Sequence, residues 1–332
     1  MNQFSRVVIA PNWIGDSVMS LPFVRALRRA YPGDRLAVLA RRGPAAIFRA
    51  EGSADQILTR SGFLRDIALL RGGRFTQAWL LPNSLRAALL AWSGGIGERI
   101  GYATDHRASL LTLALAPPSG VRHQLRDYDE LLTARGVALD LEAPRLPISG
   151  DRSQRALRAL AAAGLESPGP LALLAPGAAF GWTKRWPAER FSALSDRLAA
   201  SGYAVGLVVG PGEEELGNTI ASQAKVSPPV LGLDLDPAEL GALLARARVV
   251  VANDSGAMHL AAAVGTPVVA FFGPTDPGRT APAGSPAKIL DRYVFCSPCF
   301  LKECPYGHEC MREIGVEDAL RAVEELVGRV PT

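Results

Sequence analysis

The sequence predicts an α/β protein built from two doubly wound domains that face one another across a cleft. The chain has 332 residues, about twice the usual length of one domain. Short apolar runs alternate with segments of helical periodicity, which favours parallel sheets covered by helices on both faces. The alternation stops at a Pro-rich stretch, residues 143–148, and starts again at residue 171.

The first predicted domain begins with a strand at 7–10, a turn at 11–15 and a helix at 18–30. Consecutive apolar residues indicate the strand, and apolar residues at helical spacing indicate the helix. The same alternation predicts a strand at 36–40, a helix at 45–49, the start of a strand at 56–58, a helix at 63–71 and a strand at 77–81.

The second predicted domain follows a hinge near residues 145–168, which includes a helix at 152–163. We therefore expect domains of residues 1–160 and 161–332, with a C-terminal helix that could pack back on the first domain. The second domain is predicted to contain strands at 171–175, 204–210, 249–252 and 268–272 and helices at 188–201, 214–224, 237–246 and 259–264.

The composition is that of a soluble globular protein, since apolar residues make up 48% of the chain and charged residues 20%. The N-terminus lacks the basic, apolar and cleavage regions of a secretory signal, so a cytoplasmic location is predicted. Apolar runs such as 264–272 are far shorter than the ~20 residues that span a bilayer. Any membrane contact would be peripheral.

Positive charge is concentrated in the first half of the chain. Residues 1–165 contain 22 Arg, no Lys and 13 acidic residues, a balance of +9, whereas residues 166–332 carry −5. Because the arginine fork suits phosphate and carboxylate groups, the first domain is expected to attract an anionic partner. A general preference for arginine in the genome is the alternative explanation.

Several function classes lose support because their motifs are absent. The chain has no GxxxxGK[ST], GxSxG or HExxH, and no GxGxxG opens a helix in its first domain. These absences count against kinases, hydrolases, zinc proteases and ordinary dehydrogenases. No nucleic-acid motif accompanies the basic half, so nucleic acid is not expected as a partner.

Asp16 lies where the first predicted turn meets the first predicted helix. The helix dipole stabilises a carboxylate at that place, so capping of the helix is one interpretation. The other is a general base, because ligands of open α/β sheets bind at the carboxyl ends of the strands. Gly15 would let the backbone turn tightly beside this carboxylate.

Two loops of the second domain predict a phosphate site. Residues 253–259 follow a strand and open a helix, and the backbone N–H groups at a helix start bind anions. Residues 176–179 follow another strand, and Lys184 comes shortly after them. We expect the two loops to converge on a diphosphate, with an ordinary surface loop as the alternative.

Three acids, Glu213, Glu214 and Glu215, follow the strand predicted at 204–210. An acid at this position can accept hydrogen bonds from ribose hydroxyls. A solvated first helical turn is an equal alternative, and the pattern favours none of the three acids over the others.

All four cysteines lie in one segment near the C-terminus, with His308 among them. A cytoplasmic location disfavours disulfides, and the spacing could hold a structural zinc ion or an iron–sulfur cluster. A reduced, structural loop is the alternative. The residues concerned are Cys296, Cys299, Cys304 and Cys310.

Motifs along nearly the whole chain resemble glycosyltransferase family 9, the bacterial heptosyltransferases. Two of them, at 81–89 and 296–311, point to one branch of the family. The motifs are PNWIGDSVMS at 11–20, LPNSLRAAL at 81–89, ERIGY at 98–102, PGAAFGWTKRWP at 176–187, NDSGAMHLAAAVGTP at 253–267, FFGPTDP at 271–277 and CSPCFLKECPYGHECM at 296–311.

This resemblance implies a GT-B fold, in which two Rossmann-like doubly wound domains face a central cleft. Residues 1–160 would bind the acceptor and residues 161–332 the ADP-sugar. The implied reaction is inverting transfer of heptose from ADP-L-glycero-β-D-manno-heptose to the heptosyl-Kdo2-lipid A inner core of lipopolysaccharide. No cofactor and no catalytic metal would be required, and contact with the cytoplasmic face of the inner membrane would be peripheral.

The resemblance also implies roles for particular residues. Asp16 would be the general base, and Lys184 would neutralise the leaving diphosphate. The donor site would further include Gly177, Asp254, Ser255, Gly256 and His259, with Glu213 or Glu214 on the ribose. The acceptor would contact Asn12, Gly15, Asn83, Ser84, Arg86, Arg107 and Arg122.

Three alternatives stand beside heptosyl transfer. A relative within the family could use another nucleotide sugar or acceptor, which a panel of sugar nucleotides would reveal. A nucleotide-sugar epimerase or hydrolase could share the scaffold, and it would turn over its substrate without an acceptor. A non-catalytic binding protein would bind ADP without any turnover.

Overall fold

The chain folds into two compact units, Met1–Pro144 and Arg145–Thr332. The structure, a computed structural model, describes residues 4–138, 142–166 and 169–329. Each unit contains a six-stranded sheet in which all paired strands run parallel. Within the described ranges, no helix is long and apolar enough to cross a membrane.

The first unit is a parallel sheet flanked by six α-helices. Its strands are β1 (Ser5–Ile9), β2 (Arg35–Ala40), β3 (Gln56–Thr59), β4 (Gln77–Leu80), β5 (Glu98–Tyr102) and β6 (Leu113–Leu115). Its helices are α1 (Ile14–Met19), α2 (Leu21–Ala30), α3 (Arg42–Glu51), α4 (Phe63–Gly73), α5 (Leu85–Ser93) and α6 (Gln124–Thr133). The strand order is β3-β2-β1-β4-β5-β6, as in dinucleotide-binding sheets.

The second unit repeats this architecture. Its strands are β7 (Leu171–Ala175), β8 (Ala204–Val208), β9 (Val230–Leu231), β10 (Val249–Asn253), β11 (Val268–Phe272) and β12 (Ala287–Asp291). Its helices are α7 (Gly150–Ala162), α8 (Ala188–Ala200), α9 (Glu214–Gln223), α10 (Pro237–Leu244), α11 (Gly256–Ala263), α12 (Pro277–Thr280), α13 (Glu309–Arg312) and α14 (Val316–Val327). The order β12-β11-β10-β7-β8-β9 matches the first sheet read from its other edge.

The central strands of both sheets are buried along their whole length, as helices on both faces require. The single helix predicted at 18–30 is instead two helices that meet at Ser20. Ser20 Oγ donates to the carbonyl of Ser17 at 2.8 Å, and Pro22 in the first turn of α2 has no N–H. The second helix therefore starts anew.

Helix α7 and the C-terminal helix α14 both belong to the second unit. Helix α7 packs against α10 through a face that includes Ala156 and Leu160, so the division lies before this helix, whereas the expected boundary at residue 160 lies near its end. The C-terminal helix α14 packs against α8, β11 and β12. It does so because its buried residues complete the apolar core of that unit. The expected hinge ends at residues 167 and 168, which lie outside the described residues.

Candidate active site

The polar motifs follow the two strands at the centre of each sheet. In the first sheet β1 pairs with β4, and in the second β7 pairs with β10. The strand order reverses direction between these partners, and the crevice at such a switch point is where open α/β sheets bind ligands. The loops at these points carry Asp16 and residues 82–84 in one unit, and residues 176–187 and 253–256 in the other.

Asp16 is the third residue of α1, and the N-cap position is occupied by Trp13. Asp16 is therefore not the cap of this helix, although its carboxylate lies in the first turn, where the helix dipole stabilises negative charge. The residue is half-buried at the carboxyl end of β1. This placement fits a proton acceptor at the edge of the sheet.

The loop before Asp16 is held by an ion pair that the sequence did not reveal. Arg60 donates to Asn12 Oδ1 at 3.1 Å and pairs with the buried carboxylate of Asp66 at 3.1 Å. Gly15 is buried as the second residue of α1 and has helical backbone. The tight turn expected at Gly15 is not formed, because the chain enters the helix directly after the extended Trp13.

Tyr128 of α6 packs against the same turn. Its hydroxyl accepts from Gln124 Nε2 at 2.7 Å and lies 3.5 Å from the backbone carbonyl of Asp16. Burial, and then the negative charge of Asp16, raise the pKa of Tyr128 well above its usual range. The phenol therefore stays neutral beside the carboxylate.

Arg107 is fully buried and fastens the loop after β4. Its guanidinium donates to the carbonyls of Tyr102 at 2.8 Å and Ser84 at 3.2 Å, and also to the carbonyl of Pro82 and the side chain of Asn83. Burial lowers the pKa of Arg107 to about 10, so the group stays charged at neutral pH. Such burial favours a positioning role for Arg107 over direct contact with an acceptor.

The other residues expected to contact the acceptor differ in whether their side chains already have partners within the protein. Ser84 is the N-cap of α5, where its side chain accepts from the Ala87 N–H. Arg86 is exposed, with its guanidinium 4.8 Å from the centre of the Phe63 ring. Arg122 is paired with acids of its own unit, so Arg86 presents the more accessible charge.

Arg122 pairs with two carboxylates of α6, Asp127 at 2.7 Å and Glu130. These partners, Glu130 first, raise the pKa of the Arg122 guanidinium, and hydrogen bonding to Arg122 lowers the pKa of Glu130. Tyr102 also donates to Glu130 at 3.0 Å. The charge of Arg122 is therefore largely balanced inside the protein.

In the second unit, the loops after β7 and β10 meet around one carboxylate. Lys184 Nζ donates to Asp254 Oδ2 at 2.5 Å, and Thr275 Oγ1 donates to the same oxygen at 2.7 Å. The Lys184 and Asp254 side chains are only 14% and 5% exposed. The structure thus brings together the two loops that the sequence expected to converge, and it adds Thr275.

Asn253, fully buried at the end of β10, fixes the spacing of these loops. Its Nδ2 donates to the carbonyl of Pro176 at 2.7 Å, and its Oδ1 accepts from the N–H of Trp186 at 2.9 Å. A single side chain therefore joins both ends of the 176–186 loop to the neighbouring strand.

The start of α11 offers unused hydrogen-bond donors. Ser255 is the N-cap, Gly256 is the first helical residue, and the buried His259 follows one turn later. The backbone N–H groups of a first helical turn have no partners inside the helix. Ser255 Oγ is buried and, within the described residues, has no hydrogen-bond partner.

Four more buried side-chain atoms lack a partner among the described residues. Ser5 Oγ and Tyr203 Oη belong to the start of β1 and to the residue before β8, whereas Arg185 Nε and Thr280 Oγ1 lie beyond the carboxyl ends of their strands. With Ser255, the latter two come from the segments after β7, β10 and β11, three neighbouring strands of one sheet. Because buried polar groups are nearly always hydrogen-bonded, these donors suit a ligand that supplies acceptor oxygens.

Glu213 is the acid that contacts the 176–187 loop. Its Oε2 accepts from the Gly210 N–H at 3.0 Å, and its Oε1 lies 3.6 Å from a guanidinium nitrogen of Arg185. A Cβ atom on Gly177 would lie 1.9 Å from Glu213 Oε2, so a side chain there would displace the Glu213 carboxylate. Glu214 and Glu215 are exposed, and the structure therefore separates three acids that the sequence left equal.

The four cysteines are free thiols, and only Cys310 is buried. Burial, followed by the neighbouring thiols, raises the pKa of Cys310 to about 11. In the part of the chain that the structure describes, no three cysteine, histidine or acidic side chains are placed to hold a metal ion. The structural metal site at Cys296, Cys299, Cys304 and Cys310, one of the two interpretations of this segment, stays a prediction beside the reduced, structural loop.

Fold and loops together define a class of protein, the two-sheet α/β enzymes that bind nucleotides at strand ends. Residues 65–309 match the sequence-family model of glycosyltransferase family 9 (heptosyltransferase). The chain is 30% identical to lipopolysaccharide heptosyltransferase 2 of Escherichia coli strain K12, over 86% of this chain and 87% of that protein. It is 29% identical, over the same shares, to the protein of that name from Salmonella typhimurium.

The solved structure of the E. coli ADP-heptose lipopolysaccharide heptosyltransferase II superimposes with a TM-score of 0.84 at 26% identity, covering 98% of both chains. The chain belongs to glycosyltransferase family 9. This confirms the expected family, the GT-B-like fold with two parallel sheets, and the expectation of a glycosyltransferase.

Proposed function

We propose that this enzyme transfers heptose from ADP-L-glycero-β-D-manno-heptose to the heptosyl-Kdo2-lipid A inner core of lipopolysaccharide, the heptosyltransferase II reaction. The observation that carries the proposal is the buried Lys184–Asp254–Thr275 network beside the unsatisfied Ser255 hydroxyl. The relatives named heptosyltransferase 2 support the choice of donor and acceptor.

The second unit binds the donor in this proposal. The diphosphate lies at the N-terminus of α11, where the backbone N–H groups, the Ser255 hydroxyl and the helix dipole favour negative charge. The Lys184 ammonium donates one hydrogen bond to Asp254 and has two N–H groups left for phosphate oxygens. The buried His259 lies one turn further into α11. With these groups, the charge of the leaving ADP is neutralised without a cofactor or a catalytic metal.

Glu213 binds the ribose of the donor. Its carboxylate contacts Gly177, at the end of β7, and lies near Arg185. A carboxylate in this position accepts hydrogen bonds from two ribose hydroxyls. The exposed Glu214 is the weaker candidate.

Asp16 performs the proton transfer. Its carboxylate accepts the proton of the acceptor hydroxyl while that oxygen attacks the anomeric carbon of the heptose. The bond from this carbon to the diphosphate breaks, its electron pair leaves with ADP, and the configuration at the carbon is inverted. Asp16 then carries the proton until it is lost to solvent.

The first unit binds the acceptor. Its arginine excess suits the phosphates and carboxylates of a lipid A–Kdo–heptose chain. Arg86 and Asn83 are exposed for contact, Arg107 holds their loop, and Arg122 contributes less because its charge is paired. Asn12, Gly15 and Ser84 shape the surrounding backbone. The same charge supports peripheral contact with the anionic cytoplasmic face of the inner membrane.

The test is a matrix of donors and acceptors in EDTA, with products identified by mass spectrometry. ADP-L-glycero-β-D-manno-heptose is compared with the D-glycero epimer and with ADP-glucose, and heptosyl-Kdo2-lipid A with Kdo2-lipid A. We expect addition of one heptose with the first donor and first acceptor, and little donor turnover without acceptor. Preference for another pair would assign a different reaction within the family, and rapid turnover without acceptor would indicate an epimerase or a hydrolase.

A further inference from the structure

The cysteine-rich segment, residues 296–310, lies against the loop that carries Lys184. Thr183, the neighbour of that lysine, is bonded to this segment at two points. Its Oγ1 donates to the carbonyl of Leu301 at 2.7 Å, and its own carbonyl lies 2.6 Å from His308 Nε2, which donates to it. Thr183 is 1% exposed and His308 is 8% exposed, so water does not compete for these bonds.

His308 is itself tightly held. It is the N-cap of α13, its backbone is left-handed with φ of 62°, and its ring meets the Trp182 ring edge-on at 4.9 Å. A left-handed backbone is uncommon for a residue with a side chain and persists where the surroundings enforce it. The ring therefore meets the Thr183 carbonyl in a fixed direction.

The same segment also holds the other side of the Lys184–Asp254 pair. The Phe300 N–H donates to the carbonyl of Pro274 at 2.7 Å, and Ser297 Oγ donates to the carbonyl of Gly273. The next residue, Thr275, donates to Asp254 Oδ2. One segment thus anchors the chain next to Lys184 and next to Thr275, the two residues that donate to Asp254 Oδ2.

We propose that His308 is a positioning residue for donor binding, and that it acts through Thr183 on Lys184. Residues 182–184 form a single 3-10 turn, which has little stability of its own. The hydrogen bond from His308 fixes this turn, so Lys184 Nζ stays between Asp254 and the diphosphate. The inference rests on the proposed donor site.

The test is ADP binding by calorimetry in EDTA, at equal folded fraction. His308→Asn removes the reach of the ring but keeps a residue that tolerates the left-handed backbone. We expect its Kd for ADP to rise about 3- to 10-fold, as for the loss of one hydrogen bond. His308→Gln, which retains an N–H donor, should recover most of the affinity, and Tyr306→Ala, on the exposed side of the segment, should bind as the wild type does.

A double-mutant cycle shows whether His308 acts through Lys184. In a Lys184→Met background, His308→Asn should change the Kd less than twofold. Equal losses in both backgrounds, or an unchanged Kd for His308→Asn alone, would overturn the inference. Thr183→Val, which keeps the shape of the side chain, serves as a second probe if His308→Asn unfolds, and it should also weaken ADP binding. A wild type that does not bind ADP would instead refute the proposed donor site.

Discussion

The two sheets share one strand order but carry different chemistry at their switch points. In the first unit, a half-buried carboxylate, Asp16, lies at the strand end, and the nearby Arg107 uses its guanidinium on backbone carbonyls. In the second unit, Lys184 and Asp254 form a buried network, and hydroxyl and N–H donors beside it have no partner among the described residues. In the proposed mechanism, the edge of the first sheet accepts a proton and the edge of the second binds an anion.

The comparison shows that the same backbone topology places loops at the ends of the central strands, while the side chains in those loops decide what each site can bind or catalyse. Each sheet exposes its loops in the same way at the carboxyl ends of its central strands. Arginine excess alone would assign anion binding to the first unit, yet many of its arginines are paired with acids, as Arg6, Arg25, Arg28, Arg60 and Arg122 show. The net charge of the first unit therefore overstates the number of arginines that are free of an acidic partner and could bind an anion.

The largest effect is expected on the transfer rate when the Asp16 carboxylate is removed. Asp16→Asn should lower the kcat of transfer by about a hundred- to ten-thousand-fold, because the acceptor hydroxyl loses its general base. The Kd for ADP should stay within about twofold, since the residue belongs to the other unit. Transfer rate and ADP calorimetry measure the two quantities, and a variant that transfers at the wild-type rate would remove Asp16 from the mechanism.

The next effect tests the anion site. Lys184→Met should weaken ADP binding about ten- to a hundredfold, because a charge-assisted hydrogen bond is lost and Asp254 is left without its cation. Lys302→Met is the matched control, since its ammonium lies over the same Phe180 ring at 5.7 Å but has no bond to Asp254 among the contacts described. Equal losses in the two variants would show a general charge effect and not a specific site.

A smaller effect is expected to distinguish the buried Arg107, through protein stability, from the exposed Arg86, through acceptor binding. Arg107→Met should lower the free energy of unfolding by about 2 kcal/mol, because backbone carbonyls in the loop after β4 lose their donor. Arg86→Met should change stability by less than about 0.5 kcal/mol and raise the KM for the acceptor. Urea unfolding and acceptor titration measure both quantities. The reverse pattern would exchange the roles given to the two residues.

The smallest effect is expected on protein stability when the ion pair between Arg122 and Glu130 is removed. Hydrogen bonding to Arg122 lowers the pKa of Glu130, so the ionised carboxylate stabilises the fold above its unfolded pKa of about 4.3, and this contribution is lost as pH falls through the lowered value. The group is 45% exposed, so Glu130→Gln should cost less than about 1 kcal/mol at pH 7. Urea unfolding at pH 7 and at about pH 3 should show this difference disappear in acid; a difference independent of pH would contradict the pairing.

The central strands and the loops that follow them could be predicted from the sequence. Runs such as 249–252 are apolar because both faces of the strand are buried, and a motif after such a run falls at the carboxyl end of the strand. The sequence did not predict strands β5, β6, β9 and β12, which lie at or next to the sheet edges. Strand β5 has the sequence ERIGY, with two charged residues, and β6 has only three residues, so neither has the apolar length that identifies a strand.

The partners of the site residues could not be predicted, because they are distant in the chain. Thr275 bonds Asp254 across 21 positions, Arg60 bonds Asn12 across 48, and His308 bonds Thr183 across 125. Periodicity and local motifs contain no information on such pairs. For the same reason the burial of Arg107 was not visible, since it depends on how the loops after β4 and β5 fold together.

The central claim is that the nucleotide is bound by the edge of the second sheet and the base is supplied by the first. Hydrogen–deuterium exchange with and without ADP, in EDTA, tests it most directly because each loop is read separately. The account predicts slower exchange in residues 176–187 and 253–259 on addition of ADP, with little change in residues 11–20. Protection confined to residues 11–20 and 81–89, with the second sheet unchanged, would contradict it.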